Sequence, residues 1–482
     1  MSGAGADVLF NSIQFLVFFP LVAAAYFAAP QRLRWALLLG ASCYFYMAFI
    51  PIYILILVLT ILVDYFAALY IASATGARRR MGLVVSIVST CLILFFFKYY
   101  DFVISNINTV AAATGIGLAL TPLGLILPIG LSFHTFQSLS YVIEVYWGKQ
   151  RAQRHFGIYA LYVMFFPQLV AGPIERPQNL LHQFYEHHDL DYVRIRDGLR
   201  QILWGFFKKL VVADRLAIYV NTIYGNLEHH TGPTIAVATV FFAFQIYCDF
   251  SAYSDIAIGA ARVLGFSLMT NFHKPYFSRS ISEFWRRWHI SLSTWFKDYV
   301  YVPLGGNRVP RPRWAFNILF TFTISGLWHG AAWTYIIWGA LNGVYLVAST
   351  SLQGTREAVA RAIGLLRWPR LHRFLKIAVT FGLTCIAWVF FRAPGFDEAL
   401  AALHHMLWNW GPVFTGGAKE LIYGALGIAV VLAVDAWSGE RHFHEAVGAR
   451  PQAERWAIYL VLILWILSAG VFNASQFIYF QF

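Results

Sequence analysis

Long apolar runs separated by short polar stretches organise the whole chain. About 20 mostly apolar residues in a helix cross the hydrocarbon of a bilayer, because a helix satisfies its own backbone hydrogen bonds. The runs fall near residues 8–29, 35–50, 52–73, 82–97, 123–147, 157–171, 201–222, 234–266, 314–350, 375–392, 421–436 and 456–480. Since two of them are longer than one span requires, the pattern predicts about ten to twelve transmembrane helices. We therefore expect an all-α, polytopic integral membrane protein.

The composition agrees with a membrane protein and changes how the charge is interpreted. Hydrophobic residues make up 59% of the chain and charged residues 12%, against about 25% charged residues in soluble domains. The net charge of +13 would suggest nucleic-acid binding in a soluble protein, but the basic residues cluster between the apolar runs. Charge in such loops sets orientation in the membrane, so we expect contact with lipids and no nucleic acid.

Basic residues also predict which way the chain crosses. Clusters at 32–34, 78–80 and 149–154 are each separated by two apolar runs. The positive-inside rule places these loops in the cytoplasm and the N-terminus outside. The run at 8–29 has no basic region before it and no small-residue cleavage site after it, so we expect a retained span rather than a signal peptide.

The sequence shows no division into domains, because neither an internal repeat nor a low-complexity tract interrupts the apolar runs. The longest polar stretches, 173–200, 271–313 and 351–374, are loop-sized, so we expect one membrane domain over residues 1–482. The four cysteines occur singly, without the paired spacing of a zinc or redox site, and we interpret them as core residues. We expect no metal site.

A first polar island, Gln245 to Asp255, lies inside an apolar run. Gln245 and Asp249 share one helical face, and Ser251, Tyr253, Ser254 and Asp255 follow within two turns. Polar groups at membrane depth often mark a site, so this face is a candidate channel or donor-binding surface. Hydrogen bonding between neighbouring helices is an equally good interpretation.

A second polar island falls within the segment 271–313, which is too polar to span but contains many aromatic residues. It predicts helices that lie at an interface or re-enter the membrane, ended by a turn at 303–307. Glu283 precedes Arg287 by four residues, a spacing that favours an ion pair. Arg286, Arg287 and Lys297 could bind the phosphates of a ligand or the headgroups of anionic lipids.

Two histidines that each follow a tryptophan are the strongest candidates for chemistry. His329 is a single ionisable group among small residues and tryptophans, and His289 lies in the basic, aromatic segment. A desolvated imidazole is neutral and can take a proton from a hydroxyl. The alternative is a packing histidine whose ring nitrogens are hydrogen-bonded. His134, behind Pro128 and Gly130, is a weaker candidate.

Six ordered motifs resemble the membrane-bound O-acyltransferases, most closely the branch that acetylates bacterial exopolysaccharides such as alginate. They are L-P-I-G-L-S-F-H-T-F-Q at 127–137, P-Q-L-V-A-G-P-I-E-R at 167–176, Y-C-D-F-S-A-Y-S-D-I-A-I-G at 247–259, F-W-R-R-W-H-I-S-L-S-T-W at 284–295, Y-V-P-L-G-G-N-R at 301–308 and G-L-W-H-G-A-A-W at 326–333. The resemblance covers nearly the whole chain. His134 and Ala252 depart from it, where tyrosine and glycine would be expected.

The resemblance implies a fold of membrane helices around a central funnel and a catalytic role for His329, with His289 as its companion. It also implies an acyltransferase of the bacterial inner membrane that uses acetyl-CoA as a substrate and needs no tightly bound cofactor. A periplasmic acetyltransferase partner would then esterify the polysaccharide. Transfer of D-alanyl or another acyl group to a teichoic-acid-like polymer or to peptidoglycan would use the same two histidines.

A transporter is the alternative from another functional class. Asp249, Asp255, His289 and His329 would then line a pathway for protons or a solute. The sequence lacks the paired, inverted halves that many transporters have.

Overall fold

The computed structural model describes residues 10–170, 172–416, 418–472 and 478, and this part of the chain contains helices and no strand. It groups into two compact units. The first unit comprises Met1–Ile202 with Tyr253–Met269, and the second comprises Leu203–Ala252 with Thr270–Phe482. The all-α prediction is confirmed.

The first unit is built from ten α-helices, the last of which continues into the second unit. They are α1 (Ile13–Ala28), α2 (Gln31–Met47), α3 (Ile54–Ser73), α4 (Gly76–Leu94), α5 (Tyr100–Ala113), α6 (Leu131–Tyr146), α7 (Phe156–Met164), α8 (Phe166–Leu169), α9 (Pro177–Leu180) and α10 (Tyr192–Phe206). A π-helix at Phe95–Tyr99 connects α4 to α5.

The second unit contains the remaining helices, and α12 contributes its last residues to the first. They are α11 (Asp214–Tyr224), α12 (Gly232–Leu264), α13 (Ile281–Arg287), α14 (Ile290–Phe296), α15 (Arg311–His329), α16 (Trp333–Ser351), α17 (Gln353–Ala362), α18 (Pro369–Arg392), α19 (Phe396–Trp408), α20 (Ala418–Trp437), α21 (Phe443–Gly448) and α22 (Gln452–Ala469). Two further π-helices occur here, at Phe207–Ala213 and Lys297–Tyr301.

Six helices among the described residues are long and apolar enough to cross a membrane, or seven if α16 and α17, bent by 59°, form one span. The six are Pro51–Ser73, Gly76–Ala113, Gly232–Leu264, Pro369–Arg392, Ala418–Trp437 and Gln452–Ala469. The expectation of ten to twelve crossings is therefore too high by this measure. Apolar runs in the first unit end as shorter helices: α1 and α6 have 16 residues each and α7 has nine. At 1.5 Å per residue such helices fall short of about 30 Å of hydrocarbon.

Close packing of α15 against α16 positions the end of α15. A Cβ atom on Gly326 would lie 2.2 Å from the carbonyl oxygen of Tyr335, and one on Gly339 would lie 2.3 Å from that of Phe322. No side chain fits at these distances, so glycine at both positions lets the two backbones meet. The contact fixes the last turn of α15, which ends at His329.

The polar segment 271–313 forms short helices, as its pattern predicts. Helices α13 and α14 have seven residues each, which is too few to span the membrane. Turns over residues 302–307 follow the π-helix Lys297–Tyr301. The helix α13 begins after Ser280, whose hydroxyl accepts a hydrogen bond from the Glu283 amide at 3.1 Å. The expected pair of Glu283 and Arg287 is present.

All four cysteines are free thiols, but they are not all core residues. Cys248 is buried, Cys43 and Cys385 are partly exposed, and Cys91 is exposed. The core interpretation is wrong for Cys91, which lies on α4 within the candidate span Gly76–Ala113. An apolar residue on a span can face lipid chains instead of protein.

Candidate active site

His289 occupies a strained link between α13 and α14. Its backbone has φ 42° and ψ 56°, in the left-handed region. Among the described residues that are not glycine, only Lys274 also has a positive φ. This conformation costs a residue with a Cβ atom on the order of 1 kcal/mol, so the surrounding contacts must hold it. Strain of this kind is common at functional sites and supports His289 as a candidate.

The His289 ring is enclosed by aromatic rings and one amide. Only 1% of the residue is exposed. Its ring centroid lies 4.5 Å from that of Phe250 and 6.3 Å from that of Phe272, and Nδ1 lies 3.1 Å from Asn271 Oδ1. His289 lies outside the six candidate spans, and burial lowers the pKa of its imidazole from 6.5 to about 3. The ring is therefore neutral near pH 7.

His329 ends α15 inside an aromatic cage. It is 4% exposed, and its ring centroid lies 4.8 Å from Trp328, 5.0 Å from Trp338 and 5.6 Å from Phe391. The chain leaves the helix at Gly330, where a Cβ atom would lie 2.1 Å from the ring of Tyr335. Glycine at position 330 therefore lets the Tyr335 ring of α16 pack against the backbone that follows His329.

The ring of Trp328 lies close to the rings of both histidines. Its ring centroid lies 6.5 Å from that of His289 and 4.8 Å from that of His329. The second unit thus brings together the two residues that the sequence singled out, although they are far apart along the chain. Two buried imidazoles in a largely apolar environment can share the proton transfers of a group-transfer reaction.

An apolar cavity of about 440 Å³ lies in the second unit beside both histidine-bearing segments. Its wall includes Ile290, which follows His289, and Ser325, one turn before His329 on α15, but neither histidine is itself a lining residue. Arg286 and Lys297 also line it, and both are exposed. The cavity thus combines an apolar wall, suited to an acyl chain or linker arm, with two cations suited to phosphates.

Arg287 has a different environment from its neighbour Arg286. Its guanidinium donates to a Glu283 carboxylate oxygen at 2.9 Å. The other oxygen of Glu283 accepts hydrogen bonds from the backbone and side chain of Arg279. Arg286 and Lys297 therefore line the cavity, whereas Arg287 does not. Lys297 also has a partner, because its Nζ lies 3.4 Å from Asp298 Oδ1 in an exposed pair.

Asp249 belongs to a buried ion-pair network. Lys209 Nζ lies 2.6 Å from Asp249 Oδ1 and 2.8 Å from Asp214 Oδ1, and all three side chains are at most 4% exposed. The second oxygen of Asp249 accepts the backbone N–H of Ile478 at 2.7 Å. Lys209 is carried by the π-helix Phe207–Ala213, a local widening that often occurs where a helix must present an unusual contact. These contacts favour the interpretation that Asp249 stabilises the helix bundle.

The other polar residues of this island are distributed differently. Gln245 is 8% exposed, and within the described residues its side-chain oxygen accepts no hydrogen bond. Tyr253 and Ser254 are buried in the first unit, where the Tyr253 hydroxyl donates to Asn11 at 3.2 Å. In that unit Asp255 accepts a hydrogen bond from Gln201 at 2.9 Å. Gln245 therefore has an acceptor atom suited to binding a substrate, whereas the Tyr253 and Asp255 side chains bind protein groups.

His134 has a packing role in the first unit. It is 1% exposed, and its Nε2 lies 3.2 Å from the carbonyl oxygen of Leu169. A Cβ atom on Gly130 would lie 2.9 Å from that nitrogen. The ring therefore fills the space that the glycine leaves.

Sequence reasoning missed two residues that the structure connects to the candidates. Asn271 binds His289, and Lys209 binds Asp249. Asn271 stands in a polar segment where nothing in its spacing distinguishes it. Lys209 could have been found as a lysine within the apolar run 201–222, where a charge is costly.

Comparisons with known proteins identify the family. Residues 154–392 match the family described as MBOAT, membrane-bound O-acyltransferase. The chain is 33% identical to a probable alginate O-acetylase AlgI of Azotobacter vinelandii, over 98% of this chain and 100% of that protein. It is 40% identical to the same-named protein of Pseudomonas syringae pv. tomato, over 91% and 83%, respectively. A peptidoglycan O-acetyltransferase of Helicobacter pylori is 34% identical, over 83% and 80%.

The matched region contains both candidate histidines and the cavity beside them. An acyltransferase family excludes the transporter alternative as the primary function. The chain belongs to the membrane-bound O-acyltransferase family and is a multi-pass membrane enzyme.

Proposed function

We propose that this chain is an O-acetyltransferase of the bacterial inner membrane, which moves an acetyl group from cytoplasmic acetyl-CoA for the O-acetylation of an exported polysaccharide such as alginate. The observation that carries the proposal is the pair of buried histidines around Trp328, beside a cavity lined by Arg286 and Lys297. The similarity of the chain to the probable alginate O-acetylases, over nearly its whole length, supports the choice of polymer.

The reaction moves one proton in two transfers and requires no oxidant. His329 takes the proton of an acceptor hydroxyl as the oxygen attacks the thioester carbonyl carbon. The C–S bond then breaks, and the proton passes to the leaving thiolate, so the products are an ester and free CoA. General-base help of this kind supplies about a hundred- to ten-thousand-fold in rate.

Arg286 and Lys297 are suited to the phosphates of the acyl donor. An arginine fork and a lysine ammonium both bind phosphate oxygens, and the two cations share one cavity wall. The apolar remainder of the cavity suits the arm that carries the thioester. No metal ion is needed, because a thioester is already activated.

The acceptor hydroxyl belongs in this proposal to a periplasmic acetyltransferase, which then esterifies the sugar, so the polysaccharide contacts this chain only indirectly. The N-terminus lies outside, as the basic loops predict. The main alternative is transfer of D-alanyl or another acyl group to a teichoic-acid-like polymer or to peptidoglycan, which would use the same histidines.

Membrane vesicles that expose the cytoplasmic face test this proposal. Vesicles containing the chain receive labelled acetyl-CoA outside and a periplasmic acetyltransferase, alginate or peptidoglycan fragments inside. The proposal predicts label on the enclosed acetyltransferase and then on alginate. Label only on the peptidoglycan fragments, or no transfer of acetate to any acceptor, would contradict the proposal.

A further inference from the structure

The side-chain oxygen of Asn271 lies within hydrogen-bond distance of three groups. It accepts from the backbone N–H of Ser291 at 3.2 Å and from the Ser291 hydroxyl at 2.9 Å, and it lies 3.1 Å from His289 Nδ1. Asn271 is 1% exposed. Its backbone carbonyl also accepts the N–H of Ile290 at 2.9 Å. Asn271 therefore holds the backbone of the strained link and the His289 ring together.

These contacts determine which nitrogen of His289 carries the hydrogen. A backbone N–H can only donate, so the Asn271 atom that faces the Ser291 amide must be the oxygen rather than the NH₂ group. An amide oxygen can only accept. The Nδ1 atom of His289 must then donate to it, and in a neutral imidazole Nε2 is left with the lone pair.

The ring is neutral, which completes the assignment. Burial lowers the pKa of the imidazole to about 3. The rings of Phe250 and Phe272 pack against it. The charged groups nearest in sequence, Arg286 and Arg287, lie on α13, where Arg287 is paired with Glu283. The helix α12, which carries Phe250, also carries Asp249, and that carboxylate is paired with Lys209.

We propose that Asn271 is a positioning residue that fixes His289 as the Nδ1–H tautomer, so that Nε2 is the acceptor nitrogen of the ring. An acceptor atom cannot polarise the thioester carbonyl, which would require a donor. In acyl transfer His289 therefore serves as an acceptor and not as a donor to the thioester. This role in transfer rests on the proposed function, whereas the tautomer does not.

Nitrogen-15 NMR of protein labelled at histidine tests the tautomer without any turnover. The His289 signals are identified by comparison with His289→Gln. We expect a protonated Nδ1 and an unprotonated Nε2 near pH 7, and loss of this preference in Asn271→Leu. Asn271→Asp keeps an acceptor oxygen and should retain the tautomer, as should Ser291→Ala, which removes only a neighbouring hydrogen bond. A protonated Nε2 in the unaltered protein, or an unchanged tautomer in Asn271→Leu, would overturn the inference.

Acyl transfer tests whether the position of the His289 ring matters for the reaction. Asn271→Leu should lower kcat about tenfold or more, the scale of one well-placed hydrogen bond, and Asn271→Asp should restore much of it.

A full loss in Asn271→Leu that Asn271→Asp does not restore, with the NMR signals as in the unaltered protein, would contradict the positioning role. Failure of acyl transfer in the unaltered protein would contradict the proposed function, but it would not affect the tautomer that the NMR signals report. The two failures are therefore distinguishable.

Discussion

Arg287 and Glu283 form an ion pair at 2.9 Å, one turn apart on α13. Glu283 also binds Arg279, so the carboxylate lies between two guanidinium groups. Arg286, between them in sequence, lines the cavity instead. Adjacent arginines on one short helix thus have separate tasks: one stabilises the helix and the other is available to a ligand.

Arg286→Ala should raise the KM for acetyl-CoA about tenfold or more while changing kcat less, because a contact to donor phosphates is made equally in the ground and transition states. Arg287→Ala is the matched control and should leave this KM nearly unchanged. Steady-state kinetics of both variants in detergent provide the measurement. Equal effects of the two substitutions would return both arginines to lipid contact or to structure.

Gly326→Ala should destabilise the protein by roughly 1–3 kcal/mol or more, since its Cβ atom would overlap the backbone of α16. Gly382→Ala on α18 is the control. A Cβ atom there meets nothing within 4 Å, and alanine in a helix is favoured over glycine by about 0.5–1 kcal/mol. Thermal unfolding in detergent should therefore shift down for the first variant and stay level or rise for the second. Similar unfolding temperatures would contradict the close helix contact.

The apolar runs predict the helical class. The two histidines can be picked out as candidates because burying a polar group in a membrane is costly, so such residues are few. They do not predict how many helices cross. The runs that contain α1, α6 and α7 are apolar, yet their helices end early. The meeting of His289 and His329 at Trp328 depends on packing between distant segments, and the role of Asn271 depends on a single side-chain contact. Neither leaves a pattern in the sequence.

Asp249→Ala should destabilise the protein by roughly 1.5–3 kcal/mol, because it removes one charged partner of the buried Lys209 and the acceptor of the Ile478 N–H, while Asp214 keeps Lys209 paired. Glu454→Ala breaks an exposed pair with Arg450 and should cost at most about 1 kcal/mol. Unfolding temperatures of the two variants measure the difference. Unchanged stability together with lost transfer in Asp249→Ala would instead favour a substrate-binding role for Asp249.

The stability of the protein should fall as the pH is lowered from about 6.5 toward about 3, in part because of His289. In this window the unfolded chain protonates the residue while the folded protein, whose His289 pKa is about 3, keeps it neutral. The unfolded state therefore binds more protons, and unfolding becomes easier as the pH falls. His289→Gln should show a shallower dependence of unfolding temperature on pH. Parallel curves for the two proteins would show that the buried ring does not stay neutral.

The most direct test of the account is acetyl transfer by His329→Ala, measured as CoA released from labelled acetyl-CoA in the presence of the acceptor. We expect turnover to fall about a hundred- to ten-thousand-fold while the unfolding temperature remains close to that of the unaltered protein. His404→Ala, which removes an exposed histidine from α19, should transfer acetyl groups normally. Undiminished turnover in His329→Ala would contradict the assignment of His329 as the base.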